Sequence, residues 1–436
     1  MSSTDESALK RQLTLIDCLG IGINGIVGSG IFLLPAALWR AAGGRAPLAW
    51  LIVGGLCCLV ALCFAEAAAR TDRSGGPYRY AADAFGPYIG FAVGWVTLLS
   101  TLLGYAAVAR GFGDTAAKVF DPAAQGSMAV QLACGMVVLL CIVNIVGVRR
   151  SARTGDLISA VKLLSLLLFV GIGMFFVKAA NLAALPHPRV GEQSGLLAAA
   201  FAGLFATTGF EYIPVPAGEA KNPRRTVPLA MVISVLGTTF IYVLVQIVAS
   251  GVHPNLGSSE TALADAAGQF GGHRGRMIMG LAALISSFGF CASSALVGPR
   301  YLEAFSEDRF LPALLHRRSE RFGTPIAAVV VLSALVFALL VSGLNFDQLA
   351  AVSNIAVVVQ YMATCVAVLV LRWKSPAPAG AFVIPFGPLV PVLALMGCLV
   401  FLRGVGFYDF LIASAMIAVG LTLGWLSRRS RSAQGT

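Results

Sequence analysis

Charged residues are scarce in this chain of 436 residues, where Asp, Glu, Lys and Arg together make up 12%. A soluble domain carries about 25% charged residues, so this composition excludes a soluble protein. Hydrophobic residues make up 58% of the chain, and the mean hydropathy is +0.84. We therefore predict an all-α polytopic membrane protein, because a helix satisfies its own backbone hydrogen bonds in lipid. The net charge of +11 does not indicate a nucleic-acid partner, because membrane proteins carry excess Lys and Arg on their cytoplasmic loops.

Motifs for catalysis, metal binding and nucleotide binding are also missing. The nine cysteines lie within apolar stretches, without paired loop spacing or neighbouring histidines, which argues against disulfides and a metal site. The four histidines, His187, His253, His273 and His316, fall in predicted loops. No Gly-x-x-x-x-Gly-Lys loop occurs in the sequence, which argues against ATP as an energy source. No Ser–His pairing or metal-ligand spacing occurs either, so we expect neither an enzyme nor a cofactor.

Twelve apolar stretches approach the length of about 20 residues that a helix needs to cross the hydrocarbon core of a bilayer. They cover residues 15–38, 47–69, 86–109, 127–148, 155–177, 195–217, 227–250, 276–299, 325–342, 347–371, 385–403 and 407–427. If both termini lie in the cytoplasm, most Lys and Arg residues fall in cytoplasmic loops, as the positive-inside rule requires. We therefore predict a multi-pass protein of the cytoplasmic membrane with both termini inside the cell.

The first of these stretches is interrupted by the cluster Gly28-Ser29-Gly30, with Pro35 shortly after it. Each interior glycine costs a helix roughly 1 kcal/mol relative to alanine. A broken helix leaves backbone groups unpaired, and lipid tolerates this only where the backbone is buried in protein or lines a wet cavity. The break therefore predicts a cavity at membrane depth. On its own, the cluster is equally compatible with close packing of helices at small residues.

The sixth stretch carries a second interruption, at Gly209 and Pro214, with the carboxylate of Glu211 between them. Thr207 and Thr208 precede it and can bond freed backbone groups. Interrupted spans at corresponding positions of two halves are typical of transporters built from inverted repeats. We predict a single transmembrane domain over residues 1–436, with repeat one at about 13–178, repeat two at about 195–372 and two extra helices at about 385–427.

Five groups of residues, taken in order, resemble one known family. They are Gly28-Ser-Gly-Ile-Phe with Pro35; Phe64-Ala-Glu66 with Ser74-Gly-Gly-Pro-Tyr78; Phe85-Gly-Pro87; Gly209-Phe-Glu211 with Glu219-Ala-Lys-Asn-Pro-Arg-Arg225; and Phe322-Gly-Thr-Pro325. Together they resemble the amino acid–polyamine–organocation (APC) transporters over most of the chain. The resemblance implies a LeuT-type 5+5 inverted repeat within the twelve transmembrane helices, with helices 1 and 6 discontinuous. It also implies alternating access and an amino acid or related amine as substrate.

A zwitterionic amino acid needs N–H donors for its carboxylate and carbonyl oxygens for its ammonium group. The two ends of a broken helix provide both at one depth. At the Gly28-Ser29-Gly30 break we predict Ser29 and Gly30 as donors and the carbonyl of Ile26 as an acceptor. The carbonyls of Phe205 and Thr208 in the sixth stretch would complete the ammonium site. These positions match those of the arginine/agmatine antiporter branch of the family.

The resemblance also predicts what surrounds the substrate. Phe205 falls where an aromatic ring covers the substrate, although an ordinary core phenylalanine would fit the same position. Four residues of the third and eighth stretches are expected to face the substrate side chain, although helix packing alone would also explain them: Ser100, Thr101, Tyr105 and Ser294. No acidic residue except Glu211 is expected there to bind a second positive charge, which favours neutral amino acids.

Two ionisable residues lie deep in apolar stretches, where such groups are rare and mark functional sites. Lys162 belongs to the fifth stretch, and in the proton-coupled transporters that this chain resembles a lysine there takes the place of Na⁺. We expect its ammonium near the Gly22 carbonyl and the serines around Ser293; snorkelling to the membrane surface is the alternative. Glu211 matches a proton-sensing glutamate of related antiporters, or it anchors the broken backbone.

These patterns favour secondary active transport of amino acids by proton-coupled symport, with protons as the coupling ion. One alternative is an exchanger of one amino acid or amine for another. A second alternative is a membrane sensor with a transporter-like fold, against which the short terminal tails argue. We expect a small-molecule amino acid substrate, contact with the lipid bilayer, and a monomer or homodimer.

Overall fold

The computed structural model describes residues 14–70, 76–120, 126–146, 152–183, 185–188, 193–214, 223–378 and 380–434. Within these ranges the regular structure is helical and no strand occurs, which confirms the all-α prediction for this part of the chain. The α-helices are α1 (Leu15–Ile26), α2 (Gly30–Ala42), α3 (Ala46–Arg70), α4 (Pro77–Phe85), α5 (Pro87–Phe120), α6 (Gly126–Val146), α7 (Ala152–Gly173), α8 (Ala179–Leu182), α9 (Leu196–Thr207), α10 (Pro223–Val252), α11 (Ala262–Glu307), α12 (Ile326–Val341), α13 (Phe346–Lys374), α14 (Leu389–Phe401) and α15 (Phe407–Gln434).

Seven helical stretches of the described residues are long and apolar enough to cross a membrane. One of them, Gly30–Arg70, contains parts of two predicted spans, joined by the 3₁₀ turn Gly43–Arg45. Five shorter apolar helical stretches have 10–17 residues: Leu15–Ile26, Leu196–Tyr212, Ile326–Val341, Leu389–Gly404 and, within α15, Phe407–Thr422. Every apolar stretch predicted from the sequence therefore contains helix. The number of twelve membrane crossings stays a prediction, because breaks shorten several of these helices.

The first predicted span forms two helices instead of one. Thr14 and Asp17 form a capping box that starts α1. The backbone leaves helical geometry at Val27, where φ is −80° and ψ is 87°, and α2 begins at Gly30. The helix is thus interrupted at the predicted glycine cluster.

A second interruption follows α9. Thr208 is extended, with φ −73° and ψ 164°, and the next residue, Gly209, has φ 110°. Glycine adopts this left-handed conformation without the steric penalty that a Cβ atom adds. A short 3₁₀ turn, Phe210–Tyr212, comes next. The sixth predicted span is therefore also interrupted where the sequence indicated.

Helix packing places both interruptions inside the bundle. α5 packs against α6, α11 and α13, α3 packs against α9 and α10, and α2 packs against α9 and α11. α1 lies against α7 and α10 and also contacts the 3₁₀ turn after α9. Large hydrophobic side chains are exposed on α6, α7 and α12, as expected of faces that meet lipid. The unwound backbone is thus surrounded by protein, which membrane depth requires.

Candidate functional site

The two helix breaks touch each other at a pair of glycines, Gly25 in α1 and Gly209 after α9. A Cβ atom added to Gly25 would lie 2.7 Å from the carbonyl oxygen of Gly209. A Cβ atom on Gly209 would come even closer to the carbonyl oxygen of Gly25. Because real Cβ atoms do not make such contacts, glycine at both positions is what allows this approach. The last turn of α1, at the first break, therefore lies beside the unwound segment that follows α9.

The side chain of Lys162, in α7, ends at the break between α1 and α2. Lys162 is 0% exposed. Its ammonium group donates to the side-chain oxygen of Asn24 and to the Val27 carbonyl, both at 2.8 Å, and lies 3.4 Å from the Asn24 carbonyl. Carbonyls at such a break are released from helical hydrogen bonds and can accept these donors. The snorkelling alternative is therefore wrong, because the ammonium binds the broken backbone inside the protein.

The sequence does not identify which residues line the break. The three hydrogen bonds described above for the ammonium reach Asn24 and Val27, which follow Gly22 along α1. The serine of α11 that reaches the break is Ser286, whose hydroxyl lies 3.2 Å from the Val27 carbonyl oxygen and 3.1 Å from that of Gly28. Ser293 lies two turns further along α11 and donates to a carbonyl of its own helix. Sequence positions alone do not give the register between α1, α7 and α11, so they do not identify Ser286 as the serine at this position.

Ser29 and Gly30, the predicted carboxylate donors, lie at the start of α2. Ser29 is the N-cap residue, and its side chain makes no capping hydrogen bond. Its hydroxyl is buried and has no hydrogen-bond partner within the described part of the chain. Gly30 packs on α9, since a Cβ there would lie 2.7 Å from the Cβ of Ala206. The N-terminus of α2 thus combines backbone N–H groups with an unpaired hydroxyl, an arrangement that suits a carboxylate.

Two of the three predicted ammonium acceptors already have donors. The carbonyl of Ile26 accepts from the Gly28 N–H at 3.0 Å and from the Tyr242 hydroxyl at 3.3 Å. The carbonyl of Phe205 accepts from the Thr208 hydroxyl at 3.0 Å. A carbonyl oxygen has two lone pairs. The Phe205 carbonyl can therefore accept a second hydrogen bond, whereas the Ile26 carbonyl would have to lose one of its two present donors before it could accept from a substrate. Thr208, the third candidate, is partly exposed.

The Phe205 ring packs against the first break on one side and against a residue that lines a cavity on another. A Cβ atom on Gly30 would lie 3.4 Å from the Phe205 ring. On another side this ring meets Phe346 edge to face, with 5.5 Å between the ring centroids. Phe346 lines a cavity of about 250 Å³, where Arg40 and Asp347 form an ion pair at 3.2 Å. The two aromatic rings therefore lie between the break and this cavity.

The four residues predicted to face the substrate side chain are all buried. The hydroxyls of Ser100 and Thr101 donate to the Thr97 carbonyl of the same helix, at 2.8 and 2.9 Å. The hydroxyls of Tyr105 and Ser294 have no hydrogen-bond partner among the residues that the structure describes. Ser100 and Thr101 thus form hydrogen bonds within their own helix. Tyr105 and Ser294 each keep a hydroxyl that is unpaired within the described ranges.

Sequence reasoning missed the polar residues of α13 that join this group. The hydroxyl of Ser100 lies 3.3 Å from the side-chain oxygen of Gln360, and Ser353 donates to the Ser100 carbonyl at 3.2 Å. The amide nitrogen of Gln360 is buried without a partner in the described ranges. Leaving a buried donor unpaired costs about 1–3 kcal/mol, so such a group is a candidate donor to a bound ligand. Its signal in the sequence was its place among several polar residues of the predicted span 347–371, including Ser353, Asn354 and Thr364.

Glu211 is held by the second break and by α13. Its carboxylate accepts from the Gly209 N–H at 2.8 Å and from the Tyr361 hydroxyl at 3.3 Å. Glu211 is 8% exposed. These contacts are those of an anchor that fixes unwound backbone to a neighbouring helix, one of the two interpretations drawn from the sequence.

A second buried carboxylate, Glu66, lies at the end of the bundle opposite to Arg40 and connects several segments there. It accepts from the side chains of Arg70 at 2.9 Å and Arg372 at 2.7 Å, and from the Ile384 N–H at 2.8 Å. α3, α13 and the segment before α14 are therefore tied together at this end. Across the described residues, no group of three or more His, Cys, Asp or Glu side chains is arranged to hold a metal ion.

The model of one protein family, described as amino acid permease, matches residues 13–426. This match includes both helix breaks and Lys162. The chain belongs to the amino acid permease family. The family resemblance drawn from the sequence motifs is thereby confirmed. The permease is a multi-pass membrane transporter with a small-molecule amino acid substrate, and its family consists of transporters rather than enzymes.

Three relatives from Bacillus subtilis strain 168 align with nearly the whole permease. The methylthioribose transporter is 28% identical over 99% of this chain and 96% of its own length. The branched-chain amino acid permease BcaP is 26% identical, with 99% and 96% covered. The serine/threonine exchanger SteT is 28% identical, with 96% of each chain covered. These names specify different substrates and transport modes. Similarity to these relatives therefore does not determine the substrate or the transport mode of this permease, and both have to be argued from the residues of the site.

Proposed function

We propose that this permease performs secondary active transport of neutral amino acids across the cytoplasmic membrane by proton-coupled symport. In this proposal twelve spans form a LeuT-type 5+5 inverted repeat, both termini lie in the cytoplasm, and access to the site alternates between the two faces. One observation carries the proposal. Lys162 is 0% exposed, and its ammonium lies 2.8 Å from the Val27 carbonyl oxygen at the break.

A buried ammonium suits the role of a coupling ion. Carbonyl oxygens freed by a broken helix coordinate Na⁺ or H⁺ in transporters built from inverted repeats. The ammonium of Lys162 binds the same kind of oxygens from within the protein. Desolvation disfavours any buried charge, so a lysine in such a place is suited to gain and lose a proton. Because the break is also the proposed substrate site, protonation and substrate binding act on one segment of backbone.

The substrate backbone fits the groups that the two breaks present. The carboxylate is placed at the N-terminus of α2, where the Ser29 hydroxyl is buried without a partner among the described residues. The ammonium is placed at the Phe205 carbonyl, which retains a lone pair. Phe205 then covers the substrate, because its ring lies between Gly30 and Phe346.

The surroundings proposed for the substrate side chain are polar but uncharged. Tyr105, Ser294 and Gln360 each keep a buried polar atom that is unpaired within the described ranges. Glu211 is the nearby carboxylate, and it already accepts hydrogen bonds from the Gly209 N–H and from Tyr361. Both hydrogen bonds end on one carboxylate oxygen and fix the carboxylate at the second break as a backbone anchor. The arrangement therefore favours neutral amino acids over cationic ones.

Exchange is the second candidate function. The observation in its favour is the similarity to the serine/threonine exchanger SteT, 28% identical over 96% of this chain. An exchanger returns its site across the membrane only when a substrate occupies it. It therefore needs an amino acid on both sides and moves no net proton.

Uptake of a radiolabelled neutral amino acid into liposomes that contain the purified permease separates these functions. Symport predicts accumulation in liposomes without internal amino acid when an inward proton gradient is imposed. The exchanger predicts uptake only with unlabelled amino acid inside. Uptake that depends on an Na⁺ gradient and does not depend on a proton gradient overturns the proposed role of Lys162. Competition with cationic, acidic and neutral amino acids tests the substrate class.

A further inference from the structure

Asn24 is the residue whose side chain meets the ammonium of Lys162. The side-chain oxygen of Asn24 lies 2.8 Å from the Lys162 nitrogen, and the carbonyl oxygens of Val27 and Asn24 lie at 2.8 and 3.4 Å. All three oxygens accept hydrogen bonds and none of them donates. The set suits an ammonium, which carries three donors and no acceptor.

A neutral amine needs a different set of partners. Loss of the proton leaves two N–H donors and one lone pair, and the lone pair needs a donor that faces it. The backbone carbonyls of Asn24 and Val27 cannot supply one. A primary amide can, because a rotation of about 180° around its last bond exchanges the oxygen for the NH₂ group with almost no change of shape.

The surroundings of Asn24 permit this rotation. Lys162 is 0% exposed, whereas Asn24 is only partly buried. The end of the amide that turns away from the amine is therefore not enclosed by packed apolar side chains on every side.

We propose that Asn24 is a positioning residue that follows the protonation state of Lys162. It accepts from the ammonium through its oxygen and donates to the neutral amine through its nitrogen. The proton leaves Lys162 for water on the side to which the site is open, and the lone pair left behind accepts the hydrogen bond of the amide. Asn24 lies one turn before Val27, so the exchange alters how α1 is held at the break. This inference rests on the proposed proton-coupled function.

Other groups near the amine define the controls. The titratable side chains on the elements packed around it include Cys291 of α11, Tyr242 of α10, Glu211 and Tyr212 after α9, and Asp17 and Cys18 of α1 itself. The Cys291 thiol interacts electrostatically with Lys162. Tyr242 donates to the Ile26 carbonyl, and Glu211 accepts from the Gly209 N–H. Ser286 does not titrate, but its hydroxyl lies 3.2 Å from the Val27 carbonyl oxygen, which makes it the competing donor to a neutral amine.

The test is proton-driven uptake of a radiolabelled neutral amino acid into liposomes over a series of external pH values. In Asn24→Asp the carboxylate stabilises the ammonium, so the pH of half-maximal uptake rises by about 1 unit. In Asn24→Leu both the acceptor for the ammonium and the donor to the neutral amine are lost; because a hydrogen bond to a charged group is the stronger of the two, this pH falls, by less than it rises in Asn24→Asp. Ser165→Ala is the matched control, because Ser165 donates to the backbone carbonyl of Lys162 at 2.8 Å. It leaves the pH profile unchanged.

Exchange of labelled for unlabelled amino acid at equal pH on both sides shows that each variant is folded and binds substrate. If Asn24→Leu does not fold, the nearly isosteric Asn24→Asp carries the test alone. Asn24 variants that exchange normally and keep the wild-type pH profile overturn the inference. So does a profile that moves in Ser286→Ala but not in the Asn24 variants. Wild-type permease without proton-driven uptake overturns the proposed function itself, a result distinct from the other two.

Discussion

Gly209 lies against the carbonyl oxygen of Gly25, so the last turn of α1, at the first break, and the unwound segment after α9 are in backbone contact. An ionisable side chain forms a hydrogen bond with the backbone of each break. Lys162 donates to the Val27 carbonyl, and Glu211 accepts from the Gly209 N–H. A change at either side chain therefore acts on a backbone that touches the other segment.

Gly25→Ala tests this contact. The new methyl group would lie 2.7 Å from the Gly209 carbonyl oxygen, so the two segments must separate. Overpacking of this kind costs about 1–3 kcal/mol, and we expect a lower melting temperature in detergent and loss of most uptake. Gly55→Ala is the control, because nothing lies within 4 Å of a Cβ at Gly55 and both quantities should stay at wild-type values. Full uptake by Gly25→Ala would contradict the functional importance of the contact.

Substitution of Glu211 separates an anchor from a proton carrier. Gln at this position keeps an oxygen that accepts from the Gly209 N–H and the Tyr361 hydroxyl. We therefore expect Glu211→Gln to retain uptake and the wild-type pH profile. Glu211→Ala leaves two donors unpaired, at a cost of about 1–3 kcal/mol each, and should lower both stability and uptake. A Glu211→Gln variant whose uptake no longer depends on pH would identify Glu211 as a proton carrier.

Gln360 is expected to influence which amino acid is transported. Its buried amide nitrogen lacks a partner in the described part of the chain, so it is available to a substrate side chain that carries an oxygen. Gln360→Leu removes the donor and should favour leucine over serine by about tenfold or more in competition assays, since a buried hydrogen bond contributes roughly 0.5–1.5 kcal/mol and an unpaired donor costs more. Gln131→Leu, at an exposed position of α6, is the matched control. An unchanged ratio in Gln360→Leu removes this residue from the substrate site.

Phe205 provides a fourth test, on the substrate cover. Its ring packs edge to face on Phe346, and such pairs contribute about 0.5–1.5 kcal/mol beyond the buried area. Phe205→Ala should raise the KM for uptake by about tenfold through loss of this cover. Phe205→Tyr keeps the ring and should restore a KM near that of the wild type. An unchanged KM in Phe205→Ala would assign the residue to ordinary core packing.

The sequence predicted the features that local chemistry encodes. Glycine clusters indicated both helix breaks, because glycine inside a span has a known cost, and Lys162 stood out as a cation far inside an apolar stretch. Each predicted apolar stretch contains helix for the same reason: hydrophobic runs of this length have few other structures in lipid.

Contacts between distant helices were not predictable in the same way. Asn24 and Ser286 became visible as neighbours of the Lys162 break only when the register of α1, α7 and α11 was known. The existing donors of the Ile26 carbonyl and the unpaired nitrogen of Gln360 also depend on packing between helices. A sequence pattern gives the type and depth of a residue, whereas its hydrogen-bond partner is set by the fold.

Simultaneous measurement of amino acid and proton entry tests the central claim most directly. Liposomes that contain the permease and an internal pH indicator receive a radiolabelled neutral amino acid under an inward proton gradient. Wild-type permease and the Ser165→Ala control should admit protons together with the amino acid. Lys162→Ala should still exchange labelled for unlabelled amino acid but admit no protons with it. Proton entry in Lys162→Ala at the wild-type ratio to the amino acid would contradict the account.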